Sequence, residues 1–388
     1  MFKETPKEAV CQVFEKVNTG GVSLNVFELL TATFAADEFN LRKDWEKRIR
    51  KIRQYKVLHT IQNDDFLQSI SLLASMKRRQ KTLASGVETD KAPAITCKRK
   101  DLLKLTLEEY REWAEKVTDG FIKFMHSQRI FEARDLPYRT QLVPLAAMFT
   151  HLGDNADQGG GKNKMAQWYW CGVFGELYGG ATETRFAKDY PEVVEWIKGG
   201  PEPTTVSDAY FTSSRLYTLR TRNSAAYKGI YARLILDGCK DFMSGDEITL
   251  QAYFDEKIDI HHIFPKKFSA EKSIDAKRCD CIINKTAISS RTNKIIGGNA
   301  PSDYLEKIKR RADIGQEQLE DYLKSHAIPV EPLEGDDFEA FFTKRKNSLL
   351  DRIEQAMGKN VQREIVVEED FEGGMDFEDE VFAQEMQG

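Results

Sequence analysis

Residues 258–267 read Ile-Asp-Ile-His-His-Ile-Phe-Pro-Lys-Lys, and residues 284–294 read Asn-Lys-Thr-Ala-Ile-Ser-Ser-Arg-Thr-Asn-Lys. The first stretch is short and rich in β-branched side chains. Pro265 ends it by holding Phe264 extended, so 258–265 predicts a strand. A polar connection runs to Asp280, and 281–289 predicts a second short strand. Ser290 is placed to cap a helix that ends at Gly297-Gly298, and Ser302 to cap another over 303–312. Strand, connection, strand and helix in so little chain predict a compact α+β unit.

Outward from this unit the sequence is patterned for helices. Residues 10–35 predict helix, turn, helix: Val10, Val13, Phe14 and Val17 share a face, Asn18-Thr19-Gly20-Gly21 breaks it, and Phe27, Leu29, Leu30 and Phe34 resume it. Residues 40–56 predict a basic helix on a narrow stripe of Trp45, Ile49 and Ile52. Helical pattern continues to about 127, broken near 84–94. Residues 142–152 predict a buried helix, the glycine-rich 153–164 a flexible loop, and 168–178 an aromatic core helix. Gly199-Gly200-Pro201 with Pro203 predicts a linker. Beyond it, 213–241 predicts further helix carrying Arg215, Arg220, Arg222 and Lys228. The fold class expected is mainly α with a small α+β unit, and no internal repeat is present.

Composition agrees with a globular chain. The 388 residues suffice for two or three domains, and 41% hydrophobic with 31% charged residues excludes a disordered chain. No apolar run approaches the roughly 18 residues of a membrane span, and no basic-then-apolar leader opens the chain. Cysteines at 11, 97, 171, 239, 279 and 281 lack the paired spacing of a disulfide framework, so a reducing, cytoplasmic location is expected. The net charge of −5 hides an asymmetry: 364–388 holds ten acidic and no basic residues, which leaves 57 basic against 52 acidic residues in 1–363. A mildly basic body with an acidic tail raises nucleic acid as a partner.

The residues that carry chemistry are Asp259, His261, His262, Asn284, Asn293 and Lys294. Hydrolysis of a phosphodiester needs a base to take a proton from water and a cation to stabilise charge on the leaving oxygen. Histidine suits the base because its pKa lies near neutrality. One divalent cation held by an imidazole or carboxylate plus an amide oxygen keeps positions open for phosphate and water. Taken alone, His261-His262 reads more simply as a buried or surface pair without a metal. A structural zinc on Cys239, Cys279 and Cys281 is a competing arrangement, although Cys-x-Cys without a second pair favours small core residues. Neighbouring residues on a regular strand point to opposite faces, so the two imidazoles converge only if the strand ends or twists there.

Residues 259–267 followed by 284–294 resemble the HNH (ββα-metal) nuclease motif. The first asparagine lies 22 residues after His262 and the second nine residues further on. By that resemblance His262 is the general base and His261 a metal ligand. Asn284 pins the loop that orients the base, and Asn293 is the second ligand, with Asp259 a further candidate. Lys266, Lys267, Arg291 and Lys294 are the implied phosphate contacts. Many HNH enzymes have aspartate where this chain has His261, so Mg²⁺ and Mn²⁺ both stay open.

The resemblance extends upstream. Residues 13–34, the aromatic block Trp-Tyr-Trp-Cys-Gly-Val-Phe-Gly-Glu-Leu-Tyr-Gly-Gly at 168–180, and Arg-Thr-Arg-Asn-Ser-Ala-Ala-Tyr-Lys-Gly at 220–229 look like modification-dependent restriction endonucleases of the GmrSD type. That likeness implies the end of a ParB-like lobe over 1–36, a helical domain over 37–200 and a nuclease domain over 201–350; the acidic composition of 364–388 predicts a disordered tail. It implies a DNA endonuclease restricting modified or foreign DNA such as phage genomes. The family's Asp-Gly-Gln-Gln-Arg nucleotide motif is missing, and Gly159-Gly160-Gly161-Lys162 is no phosphate loop, because Ala156 and Asn163 stand where glycine and Ser or Thr are needed. Nucleotide hydrolysis by this chain alone is therefore not expected. A partner protein carrying the missing lobe is, and the alternative function is a DNA-binding or regulatory subunit of such a split system. The density of cations over 42–56, Arg48 and Lys51 among them, reads either as a DNA-phosphate surface or as a solvated helix face. The tail reads as a solubilising segment or as a competitor for that surface.

Overall fold

The computed structural model describes residues 25–122, 124–180 and 182–363. The expected helix and Asn18–Gly21 turn over 10–24, and the acidic tail, lie outside the described residues. Among the described residues the chain is mainly helical, with a two-stranded antiparallel sheet. It divides into two compact units, Met1–Ala209 and Tyr210–Gly388. No helix among the described residues is long and apolar enough to cross a membrane.

The first unit holds α1 (Val26–Ala35), α2 (Leu41–Ile52), α3 (Asn63–Ala84), α4 (Arg99–Leu102), α5 (Leu107–Ile122), α6 (Leu142–Leu152), α7 (Gly159–Phe174), α8 (Thr182–Ile197) and α9 (Thr204–Asp208). Helix α6 is apolar on nearly every side, so it can be stable only when surrounded. It packs on α3, α5 and α8, and Leu142, Val143, Leu145, Met148 and Phe149 are all buried. Truncating any of its large side chains to alanine should cost about 2–5 kcal/mol. Gly120 of α5 lets that helix pass close to α6, since a Cβ there would lie 2.6 Å from the Ala146 carbonyl oxygen.

Several expectations are corrected here. The 153–164 segment is not a loop throughout: α7 starts at Gly159, and Gly161 is needed because a Cβ there would collide with the Asn155 carbonyl oxygen. Lys77, Arg78 and Arg79 lie inside α3, with Arg78 paired to Glu109 at 2.5 Å. Helix α1 packs on α2 and α3. The 199–203 linker is bridged as well. Thr205 donates to the buried Asp189 at 2.6 Å and the Thr204 amide to Glu192 at 2.7 Å, which keeps 204–208 with the first unit.

The second unit runs α10 (Arg215–Thr218), α11 (Ala225–Leu236), α12 (Leu250–Asp255), β1 (Asp259–His262), α13 (Lys266–Glu271), α14 (Ala276–Asp280), β2 (Lys285–Ile288), α15 (Ser290–Ile296), α16 (Pro301–Ala312), α17 (Gln316–Ser325), α18 (Val330–Glu334) and α19 (Phe338–Met357). Its two ends are tied together, since the Ser213 amide donates to Gln362 and the Gln362 amide to Phe211. The register pairs Asp259 with Ile288, Ile260 with Ala287, His261 with Thr286 and His262 with Lys285. β2 is buried throughout, packing on α11. Phe264, just after β1, lies against Phe338 and Phe341 of α19.

Here too local readings are corrected. The polar connection holds two short helices, α13 entered from Pro265, its N-cap, whose φ is −62°. The cap of α15 is Ser289, not Ser290: its hydroxyl accepts from the Thr292 amide. α16 opens with Pro301 after Ala300, and Ser302 instead donates its hydroxyl to Asp336 at 2.8 Å. The 213–241 stretch is broken into α10 and α11 rather than continuous.

Candidate functional site

Opposed residues in an antiparallel pair share a face, so His262 stands with Lys285 and His261 with Thr286. The regular pairing reaches His262, the last residue of β1. His262 Nε2 lies 3.0 Å from Asp280 Oδ1. The same oxygen is 3.1 Å from the ammonium of Lys266 and 3.1 Å from that of Lys285. Burial opposes ionisation of Asp280, but hydrogen bonds from His262, Lys266 and Lys285 outweigh it and bring the carboxyl down to about 2. Burial lowers the His262 pKa, with Lys285 and Lys266 adding to that effect and Asp280 opposing it. A neutral imidazole at neutral pH is the form a base needs.

Asn284 is fully buried between these strands. Its Oδ1 accepts from the Phe264 amide at 2.8 Å, and its Nδ2 donates to the carbonyls of Phe264 and Cys279 at 2.9 Å each. One carboxamide thereby fixes the chain leaving β1 to the chain that reaches Asp280. Arg345, buried on α19, braces the neighbouring backbone by donating to the Ile283 carbonyl at 3.0 Å. The Tyr304 hydroxyl donates to the Ile263 carbonyl at 3.0 Å.

The His261 side chain is half-buried and has no hydrogen-bond partner among the described residues. Burial lowers its pKa, Asp259 opposes that shift and Arg222 adds to it. Asn293, in α15, is likewise partly buried, and its carboxamide is unpartnered among the described residues. Its helix is seated by the buried Asp241, which accepts from the Ser289 amide at 2.8 Å and the Thr292 hydroxyl at 2.8 Å. Asp259 is differently placed from what its sequence position suggests. Its Oδ1 accepts from Arg222 and from the Ile260 amide, so one oxygen is spent and its charge is offset. The His261 imidazole and the Asn293 amide oxygen are donor types that a hydrated divalent cation accepts. Among the described residues no three His, Cys, Asp or Glu side chains cluster as a metal site, so Cys239, Cys279 and Cys281 do not form the competing zinc arrangement; all three are buried.

Lys267, Arg291 and Lys294 are exposed and unpaired among the described residues, whereas Lys266 is 65% exposed but leans on Asp280. In the first unit, Arg48 and Lys51 are both ion-paired. Arg48, only 13% exposed, forks onto Asp44 at 2.6 Å and Glu115 at 2.8 Å, and Lys51 reaches Glu115 and Asp119. Their charge is used to join α2 to α5. The outward cations of α2 are Arg42, Lys43, Lys47 and Arg50, with Arg53 at its C-cap, all exposed and without a carboxylate partner among the described residues.

Sequence reasoning missed Asp280, Lys285 and Asp241 altogether, and gave Arg222 no role. Asp280 lies 18 residues from His262 and Arg222 37 residues from Asp259, so no local spacing links either pair.

No family model matches the chain. An uncharacterised protein of Methanocaldococcus jannaschii is 27% identical over 367 residues, which cover 86% of this chain and 57% of that protein. The chain thus spans little more than half the length of this relative.

Proposed function

We propose that the chain is an HNH endonuclease that hydrolyses phosphodiester bonds in DNA and restricts modified or foreign DNA, as in GmrSD-type systems. The observation that supports it best is the strand–strand–helix unit in which His261 and Asn293 are left without partners among the described residues while His262 is held by Asp280. His262 takes a proton from water, the water oxygen forms a bond to phosphorus, and the bond to the leaving oxygen breaks. A bound Mg²⁺ or Mn²⁺ would be held by His261 and Asn293, with Asp259 a lesser contributor, and supplies charge stabilisation for the leaving oxygen. Asn284 acts through the backbone, by fixing the segment after His262. Lys266, Lys267, Arg291 and Lys294 meet the phosphates, and Lys266 can swing from Asp280 to do so. A second protein carrying a nucleotide-binding lobe is the partner the resemblance implies.

The test is supercoiled plasmid incubated with the purified chain and Mn²⁺. The wild type nicks or linearises it, and His262→Ala lowers the rate by about 10²–10⁴-fold while DNA binding persists. Equal cleavage by the variant refutes the assignment. Binding without cleavage by the wild type leaves the regulatory-subunit reading.

A further inference from the structure

The contact between His262 Nε2 and Asp280 Oδ1, at 3.0 Å, decides more than the ring's position. Asp280 is held as a carboxylate by Lys266 and Lys285, each 3.1 Å from the same oxygen. An ionised carboxylate only accepts hydrogen bonds, so the hydrogen in this contact belongs to Nε2. In the neutral ring the lone pair is then on Nδ1. Of the two lysines, Lys285 is the fixed one: its side chain is 8% exposed, and its ammonium donates to the Arg220 carbonyl at 2.7 Å and lies 5.8 Å from the Tyr227 ring centre. Lys266 is free to leave for a phosphate without releasing Asp280.

We infer that Asp280 is the positioning residue of the His262 base: it pins Nε2–H, leaves Nδ1 to take the proton from water, and is itself anchored by Lys285. This rests on the nuclease reading for the chemical step but not for the tautomer. When Nδ1 takes the proton the ring becomes an imidazolium whose Nε2–H still points at Asp280, so the charge formed is met by a carboxylate already in place. The dyad logic is general: a base oriented by an acceptor on its far nitrogen presents one nitrogen only.

The experiment is ring ¹⁵N NMR of the full chain labelled at histidine, with His262 assigned from a His262→Gln sample, alongside plasmid-cleavage kinetics. Wild type should show a protonated Nε2 and a bare Nδ1 in the neutral ring. Asp280→Ala should give mixed or reversed tautomers and lower kcat by about 10–10²-fold with KM nearly unchanged, and Asp280→Asn, which can still accept from Nε2–H, should restore part of both. If Asp280→Ala strands the Lys285 ammonium and unfolds the unit, the double variant Asp280→Ala with Lys285→Met carries the same reading. An unchanged tautomer, or an unchanged kcat in a cleaving enzyme, overturns the inference. Should the tautomer follow Asp280 while no form of the chain cuts DNA, the tautomer assignment stands and the nuclease reading falls.

Discussion

Replacing Asn284 with alanine is expected to loosen the whole second unit around the candidate site. The side chain is 0% exposed and serves three backbone groups: the Phe264 amide at 2.8 Å and the carbonyls of Phe264 and Cys279 at 2.9 Å each. Apart from a distant Cys279 thiol at 4.0 Å from the Phe264 carbonyl, none has another partner among the described residues. Stranding a buried polar group costs about 1–3 kcal/mol, so three together predict a loss of about 3–9 kcal/mol. Urea unfolding should be followed by far-UV circular dichroism, because all five tryptophans lie between Trp45 and Trp196 and fluorescence reports the first unit alone. Hydrogen exchange adds a local reading, since the Phe264 amide should lose its protection first. A loss under about 1 kcal/mol with the Phe264 amide still protected would refute the bridging role.

Stability should also depend on His326, fully buried between the Thr286 hydroxyl at 2.7 Å and the Lys240 carbonyl at 2.7 Å. Burial pushes its pKa down from 6.5 to about 4, so the unfolded chain binds the extra proton first. Stability is then fully present above about 6.5 and falls as pH drops toward 4, by on the order of 3 kcal/mol; His326→Gln should flatten that urea-midpoint slope, and equal slopes would contradict it. Reversing Lys43, Lys47 and Arg50 to glutamate should weaken DNA binding and lower the slope of log affinity against log salt by about 0.9 per lost phosphate contact. Arg48→Gln should instead lower stability and leave that slope alone, and the opposite pattern would return Arg48 to the DNA surface.

How much of the fold is legible in the sequence depends on the length and polarity of each element. The 142–152 helix is legible to the residue because an all-apolar run of that length suits a surrounded helix, and that is how α6 packs. The strand pair is legible from isoleucines flanking the histidines and from Pro265. Helices α13 and α14, six and five residues long, are too short to show a period, and their polar composition conceals them. The α7 entrance misleads because three glycines resemble a flexible loop, while Gly161 is there for a close pass against Asn155. For the candidate site, the resemblance to the HNH motif singles out His261, His262, Asn284 and Asn293. It cannot reveal Asp280 or the Arg222 contact that offsets Asp259, since both depend on which faces of the paired strands meet distant residues.

The proposal that two unpartnered side chains share one ion can be examined by a crystal soaked in Mn²⁺ and measured at the manganese absorption edge. One anomalous peak within about 2.0–2.4 Å of both a His261 ring nitrogen and the Asn293 amide oxygen, lost in His261→Ala, is the expected result. A peak bound elsewhere, or His261 and Asn293 too far apart to reach a common ion, would contradict the nuclease assignment.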